Sequence, residues 1–237
     1  MKAISIVGCK KSGKTTLGLA LTKKLTEKGF KVGVLKHSHH GFDGAEGTDT
    51  EEYKKTAVAV AAYSPEESFV SWKRERMVQD LIPLLDADIL IMEGSSKEGW
   101  LPRFILADRS EDSDKFMPEL AIEILPQLNR EKGLDEEEIE RLAELVCSRG
   151  FLLPGLNCKA CGRQNCKEFA ADIVAGKASA KGCKTTAGEM EVTCNGNPVA
   201  LNPFVRDILS AGITAMLGQL KGYTPGELQI TIKNTGK

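Results

Sequence analysis

Residues 8–15 read Gly8-Cys-Lys-Lys-Ser-Gly-Lys-Thr15, an instance of G-x-x-x-x-G-K-[ST] lying between a strand pattern and a helix pattern. That spacing suits phosphate binding. Glycines let backbone N–H groups converge on phosphate oxygens, and the N-terminus of the following helix adds partial positive charge. Lys14 then reaches the terminal phosphates, and the Thr15 hydroxyl can hold Mg²⁺. The residues expected to hold a nucleoside triphosphate are Gly8, Lys11, Ser12, Gly13, Lys14, Thr15 and Thr16. Phosphoryl transfer also needs an acid near the metal. The run Asp88-Ile-Leu-Ile-Met-Glu-Gly94 supplies one at the C-terminal end of a hydrophobic strand. Glu93 is therefore the candidate for orienting metal-bound or attacking water, with Lys14 as the second catalytic group. Asp88, at the opposite end, is assigned a structural role. Asp49, in Gly47-Thr-Asp-Thr50, could reach the Mg²⁺ from a switch-like loop, and would serve equally as a helix N-cap. His37, His39 and His40 share that loop, where metal ligation, phosphate contact and a plain polar surface are all open.

A second constellation lies near the other end. Four of the seven cysteines, Cys158, Cys161, Cys166 and Cys183, are spaced C-x₂-C-x₄-C-x₁₆-C. Four thiolates hold either a [4Fe–4S] cluster or zinc. Zinc ribbons tend to use two C-x₂-C knuckles. Here three cysteines are close and the fourth lies one helix away, which favours the cluster over zinc or unliganded thiols. Cys9, inside the phosphate loop, reads as a small packed side chain. Cys147 and Cys194 have no partner at ligand spacing.

The elements that must position these residues follow from periodicity. A strand at 2–7, a helix at 15–28 stopped by Gly29 and a strand at 31–35 form a βαβ unit, which predicts a parallel sheet covered by helices. The segment 37–49 has no apolar period and reads as a mobile loop near the site. Further strands are expected at 57–62, 69–72, 88–92, 103–107 and 120–124, with helices at 75–85 and 134–147. The last of these opens on Leu134-Asp-Glu-Glu-Glu-Ile139, a capping pattern. Residues 150–154 read as a boundary, giving a nucleotide-binding unit over 1–150 and a cysteine-rich unit over 151–237. The tail predicts a short strand or turn at 195–198, a helix at 203–220 and a strand at 227–232. Residues 212–217 read as a buried helix face that docks on the first unit or on another copy of the chain, a homodimer being one outcome. The formal charge of −1 gives no field to favour nucleic acid or an anionic membrane, and the apolar runs are strand-sized. Without a signal-peptide pattern at the N-terminus, a cytoplasmic location is expected. The fold class expected is α/β, a P-loop NTPase with a mostly parallel sheet flanked by helices, plus a small C-terminal iron–sulfur module.

Four motifs in order, Gly-Cys-Lys-Lys-Ser-Gly-Lys-Thr-Thr16, Lys36-His-Ser-His-His40, Gly47-Thr-Asp-Thr50 and Ile91-Met-Glu-Gly94, make residues 1–148 resemble the molybdopterin-guanine dinucleotide biosynthesis protein B (MobB) family. The resemblance implies a GTP-binding, slowly hydrolysing protein that assists the guanylyltransferase attaching GMP to molybdopterin. It places Gly13, Lys14, Thr15 and Thr16 on the phosphates and Mg²⁺, with Asp49 and Glu93 as metal-side acids. The family's Glu-Gly-Phe-Lys is here Glu93-Gly-Ser-Ser-Lys97, with the lysine one residue later. Guanine preference comes from the resemblance alone, because no Asn-Lys-x-Asp segment is present to read the base. Residues 156–184, with Gly162 and Phe169-Ala-Ala-Asp-Ile-Val-Ala-Gly176, resemble the four-iron domain of corrinoid iron–sulfur proteins and of Rnf-type electron-transport complexes. Together these imply a GTP-binding accessory protein of molybdenum or tungsten cofactor biosynthesis. Its cofactors would be GTP, Mg²⁺ and a [4Fe–4S] cluster, and its partner molybdopterin guanylyltransferase or a molybdoenzyme. The alternatives are an ATP-dependent electron-transfer or metallocentre-loading protein, and an interaction module that binds nucleotide without turnover.

Overall fold

The computed structural model describes residues 1–38, 41–42, 48–128, 134–186, 190–224 and 226–232. The chain opens with β1 (Lys2–Gly8), α1 (Lys14–Glu27) and β2 (Val32–Lys36). It continues through α2 (Asp49–Thr56), β3 (Ala59–Tyr63), β4 (Ser68–Trp72), α3 (Val78–Leu81), β5 (Ile89–Glu93), β6 (Arg103–Leu106), α4 (Ser110–Ser113), β7 (Ala121–Leu125) and α5 (Glu136–Arg149). Beyond residue 150 come α6 (Cys166–Val174), β8 (Thr193–Cys194), β9 (Asn197–Pro198) and α7 (Pro203–Leu217).

Five strands form one parallel sheet in the order β2-β5-β1-β6-β7. Strands buried on both faces read as continuous apolar runs, which is why Ile4, Ile6 and Val7 of β1 and Ile89, Leu90 and Ile91 of β5 sit without exposure to water beyond 1%. The register sets Ile6 and Lys36 opposite Glu93 from either side. The end of the phosphate-loop strand and the end of the acid-bearing strand are thus neighbours.

Alternation along each strand divides the core. On one face Ile4, Ile6 and Ile91 meet Leu17, Leu21 and Leu25 of α1 and Leu142 and Val146 of α5. The i, i+4, i+8 spacing of the three leucines puts them on one stripe of α1. On the other face Ala3, Leu90 and Met92 meet Trp100, Leu101, Phe151, Leu153, Phe169 and Cys183. Residues beyond 150 therefore supply part of the layer that covers the sheet's second face. The start of α5 is fixed as its sequence predicts, since Asp135 Oδ1 accepts the Glu138 N–H at 2.8 Å.

The structure departs from the sequence expectations in five places. β3 and β4 are strands, but they pair only with each other as an antiparallel hairpin outside the main sheet. The helix expected over 75–85 is a single turn, α3, followed by a 3₁₀ turn at Ile82–Leu85, where Pro83 cannot donate to a helical ladder. A helix, α2, occupies residues expected to lie in or beside the loop. Residues 226–232 carry no strand. The helix face at 212–217 is not buried: α7 has no buried residue and Met216 is 68% exposed.

Candidate nucleotide and cysteine sites

The phosphate loop runs from the end of β1 into the first turn of α1. Gly13 takes φ +91°, and a Cβ there would lie 2.5 Å from Leu128 Cβ and 2.8 Å from its carbonyl oxygen, so only glycine fits. Leu128 is held there by its own N–H, which donates to the Ser12 carbonyl at 3.0 Å. Lys14 Nζ donates to the carbonyls of Gly8 and Cys9 at 2.9 and 2.6 Å, bending back over the loop. Burial holds its ammonium below the usual lysine range, with Glu93 and Cys9 pulling the other way. The Ser12 hydroxyl is buried in the loop with no hydrogen-bond partner among the described residues. An orphaned donor inside a glycine-walled loop, beside a lysine and a helix N-terminus, fits a phosphate group. Lys11 is exposed at φ +66°, and Thr16 lies in the first turn of α1.

Across the sheet edge the Thr15 hydroxyl donates to Glu93 Oε1 at 2.7 Å. Lys36 Nζ is 3.2 Å from the same oxygen. Glu93 is 9% exposed, so this acid is a shielded group with a fixed direction and not a solvated strand end. A hydroxyl and a carboxylate set side by side, both oxygen donors, fit Mg²⁺ beside a phosphate. Asp88, at the other end of β5, accepts the Lys31 N–H at 2.9 Å, in keeping with a structural role.

The remaining candidates lie apart from this pair. Asp49 is the exposed first residue of α2, and Thr48 occupies the N-cap position instead. Among the described residues no hydrogen bond or ion pair joins Asp49 to Thr15 or Glu93. The His37 N–H donates to the Glu93 carbonyl at 2.8 Å, which brings its backbone to the site. His39 and His40 lie outside the described residues.

All four cysteines of the second constellation line a single pocket, together with Phe169, Asn165 and Thr185. Gly155, Asn157, Lys159 and Gly162 take φ of +72°, +48°, +61° and +82°, which gives the cysteine loop repeated left-handed turns. Left-handed residues set among right-handed ones are a means of turning successive N–H groups toward one concavity, a shape that accommodates anions and iron–sulfur groups. One such N–H is already engaged: Asn157 N–H donates to Cys166 Sγ at 3.4 Å, while Cys166 N–H donates to Asn157 Oδ1 at 2.8 Å. Cys158 Sγ lies 3.4 Å from the Thr185 hydroxyl. Burial pushes the Cys166 thiol up, and the sulfurs of Cys183, Cys158 and Cys161 push it further. Burial also works on Cys158, but the Thr185 hydroxyl and the amides of Ala160 and Cys158 bring that thiol below its usual range. Among the described residues no three His, Cys, Asp or Glu side chains are drawn into a closed metal-holding group. The chemistry of the donor set, four thiols crowding one concavity, is what fits a cationic or iron–sulfur centre.

Residues 3–124, half of the chain, match the model of the family described as "Molybdopterin guanine dinucleotide synthesis protein B". The chain belongs to that family. Residues 153–185, which include all four clustered cysteines, match a second model, described as "Putative Fe-S cluster". As a member of the synthesis protein B family the chain is similar to the "Putative molybdopterin-guanine dinucleotide biosynthesis adapter protein" of Methanocaldococcus jannaschii, 25% identical over 98% of this chain and 97% of that one. It is also 31% identical to the "Probable molybdopterin-guanine dinucleotide biosynthesis adapter protein" of Bacillus subtilis, over 54% of this chain and 76% of the relative. The crystal structure of Bacillus subtilis MobB covers 62% of this chain and 97% of its own at 24% identity and a TM-score of 0.50, a likeness of fold.

Within this family member the structure adds contacts that motif spacing did not flag. Lys36 pairs with Glu93 only because β2 and β5 are neighbours, and Leu128 reaches Gly13 only because β7 ends beside the loop. Arg103 did carry a signal, being a charge inside a strand pattern. It is fully buried and donates to the carbonyls of Phe116 and Glu98 at 2.6 and 2.8 Å.

Proposed function

We propose that the chain is a GTP-binding accessory protein of molybdenum or tungsten cofactor maturation, which assists the attachment of GMP to molybdopterin and carries a [4Fe–4S] cluster on Cys158, Cys161, Cys166 and Cys183. The observation that carries this reading is the Thr15–Glu93 pair, 2.7 Å apart at the end of a phosphate loop in a chain of this family. In this reading the N–H groups of residues 8–16 cradle the phosphates, and Lys14 leaves its two carbonyl partners for the terminal phosphate. Thr15 and Glu93 would hold Mg²⁺, with Asp49 brought to the metal side from the start of α2. When bound, the ion neutralises phosphate charge. Glu93, kept in place by Lys36, orients water for slow hydrolysis. The word "adapter", used for both curated relatives, suits a switch in which the triphosphate form binds its partner and hydrolysis releases it. That partner is molybdopterin guanylyltransferase or a molybdoenzyme. Among the described residues no helix is long and apolar enough to cross a membrane, and the reading places the protein in the cytoplasm.

Anaerobic purification followed by iron, sulfide and zinc analysis, with titration by GTP and by ATP, tests both halves. The expected result is about four irons per chain and preferential GTP binding. Zinc without iron would overturn the cluster assignment. ATP preference in an iron-loaded chain would replace the accessory role with ATP-dependent electron transfer.

A further inference from the structure

A cleft of about 340 Å³ opens between the loop that follows β5 and the start of α6, a size within the range of small-molecule sites. None of its lining residues belongs to the phosphate loop. Lys97, the lysine displaced by one residue from the family pattern, stands on its wall and has no ion pair among the described residues. Lys167 stands on the same wall, paired to Glu119 at 2.7 Å.

The amides in the cleft are committed in one sense. Asn157 Oδ1 accepts the Cys166 N–H at 2.8 Å, and Asn165 Oδ1 accepts the Glu168 N–H at 2.9 Å. With each carbonyl already accepting from the first turn of α6, the N–H₂ groups are what these side chains chiefly offer a ligand. Glu98, the acid of the lining, is engaged by the Ser95 hydroxyl. The wall is thus rich in donors and carries little net charge, which suits an acceptor-rich ligand of one or two negative charges better than a polyphosphate.

The geometry points to a second binding site in this cleft, for a phosphate monoester, with Lys97 as its anchoring cation and Asn157 and Asn165 as amide donors. Because Cys166 also lines the cleft, a ligand seated there touches the cysteine module as well as the loop leading from Glu93.

The site is separable from the nucleotide reading, so the test uses the full-length, cluster-loaded chain carrying Lys14→Ala, which takes the phosphate loop out of contention. Calorimetric titration with ribose 5-phosphate and with inorganic phosphate is expected to show one equivalent bound. Tighter binding of the ester means that the sugar is also held, and equal binding means that phosphate alone is recognised; either supports the site. Lys97→Gln should weaken binding about ten-fold, the loss of one charge-assisted contact. Asn165→Asp keeps a side chain that caps α6 but turns a carboxylate toward the ligand, and should abolish binding with iron content and helical signal unchanged. No saturable heat with either probe, or equal affinity in the parent and both variants, would overturn the proposal.

Discussion

Glu93 is gripped from two sides, by the Thr15 hydroxyl at 2.7 Å and by the Lys36 ammonium at 3.2 Å, while nearly all of its surface is covered. An acid so placed is already oriented and already neutralised by a cation. Glu93→Gln preserves shape and keeps an oxygen for Thr15, but removes the charge a divalent ion would meet. GTP affinity measured with Mg²⁺ is therefore expected to fall about ten- to a hundred-fold, with metal-free affinity unchanged. Equal losses with and without Mg²⁺, by calorimetry, would assign Glu93 to the fold and not to the metal. Lys14→Ala is the complementary case: triphosphate binding should be lost while the iron content of the cysteine site stays. The placement of the phosphate loop and of the acid at the end of β5 was legible in the sequence because local spacing sets it. Lys36 opened one of the motifs, but its pairing with Glu93 was not legible, because that depends on which strands are neighbours. Asp49 was open between metal ligand and N-cap, and the structure puts Thr48 at the cap.

At the scale of elements, what could be read was what burial imposes on the chain locally. The five strands of the sheet lie close to their expected places because strands covered on both faces, as β1 and β5 are, have to be apolar along most of their length, and the edge strands β2 and β7 keep a short apolar run of their own. The hairpin of β3 and β4 carries the same strand-like residues but faces water, with Tyr63 at 92% exposure, and no local pattern says which sheet a strand will join. The helix at 75–85 failed at Pro83 for want of a donor, and residues 227–232 had strand composition without a partner edge. Arg103 shows an element held by a buried charge: β6 anchors the loop from β5 through the Glu98 carbonyl and the 3₁₀ turn at Asp114–Phe116 through the Phe116 carbonyl. Arg103→Met leaves both carbonyls without that donor, and a destabilisation of about 2 kcal/mol is expected from urea unfolding. Burial lowers this guanidinium to about 10. Its folded value lies below its unfolded one, so charging it costs stability at every pH below that point, and the cost is relieved only above it. Folded and unfolded chains both keep the proton from pH 6 to 9, and the loss on substitution should be the same throughout that window.

At the scale of the molecule, the composition break near residue 150 suggested an appendage, yet the packing ties both sides of it into one core. Phe151, Leu153 and Phe169 lie against Leu90, Met92, Trp100 and Leu101, and Cys183 lies in the same cluster. Spacing grouped the four cysteines in the sequence but could not say what their helix packs on, since Phe169 and Ala170 would look the same in an independent module. Burial of the three large side chains alone is worth about 5 kcal/mol, of the order of a whole domain's net stability. A chain ended after Gly150 would uncover an apolar stretch of the sheet's second face. We expect that fragment to unfold at markedly lower urea concentration than the full chain and to associate, seen as a rising mass in light scattering with concentration. With the proposed metal centre on the four cysteines, its removal from the full chain should act in the same direction but less, because the thiols lose the centre they share while the aromatic contacts stay; a fall of several degrees in Tm on chelation is expected. A monomeric fragment as stable as the full chain would show instead that the cysteine segment rests on the sheet without supporting it, and that its coupling to the nucleotide site has to be sought in the loop from Glu93 to Trp100 alone.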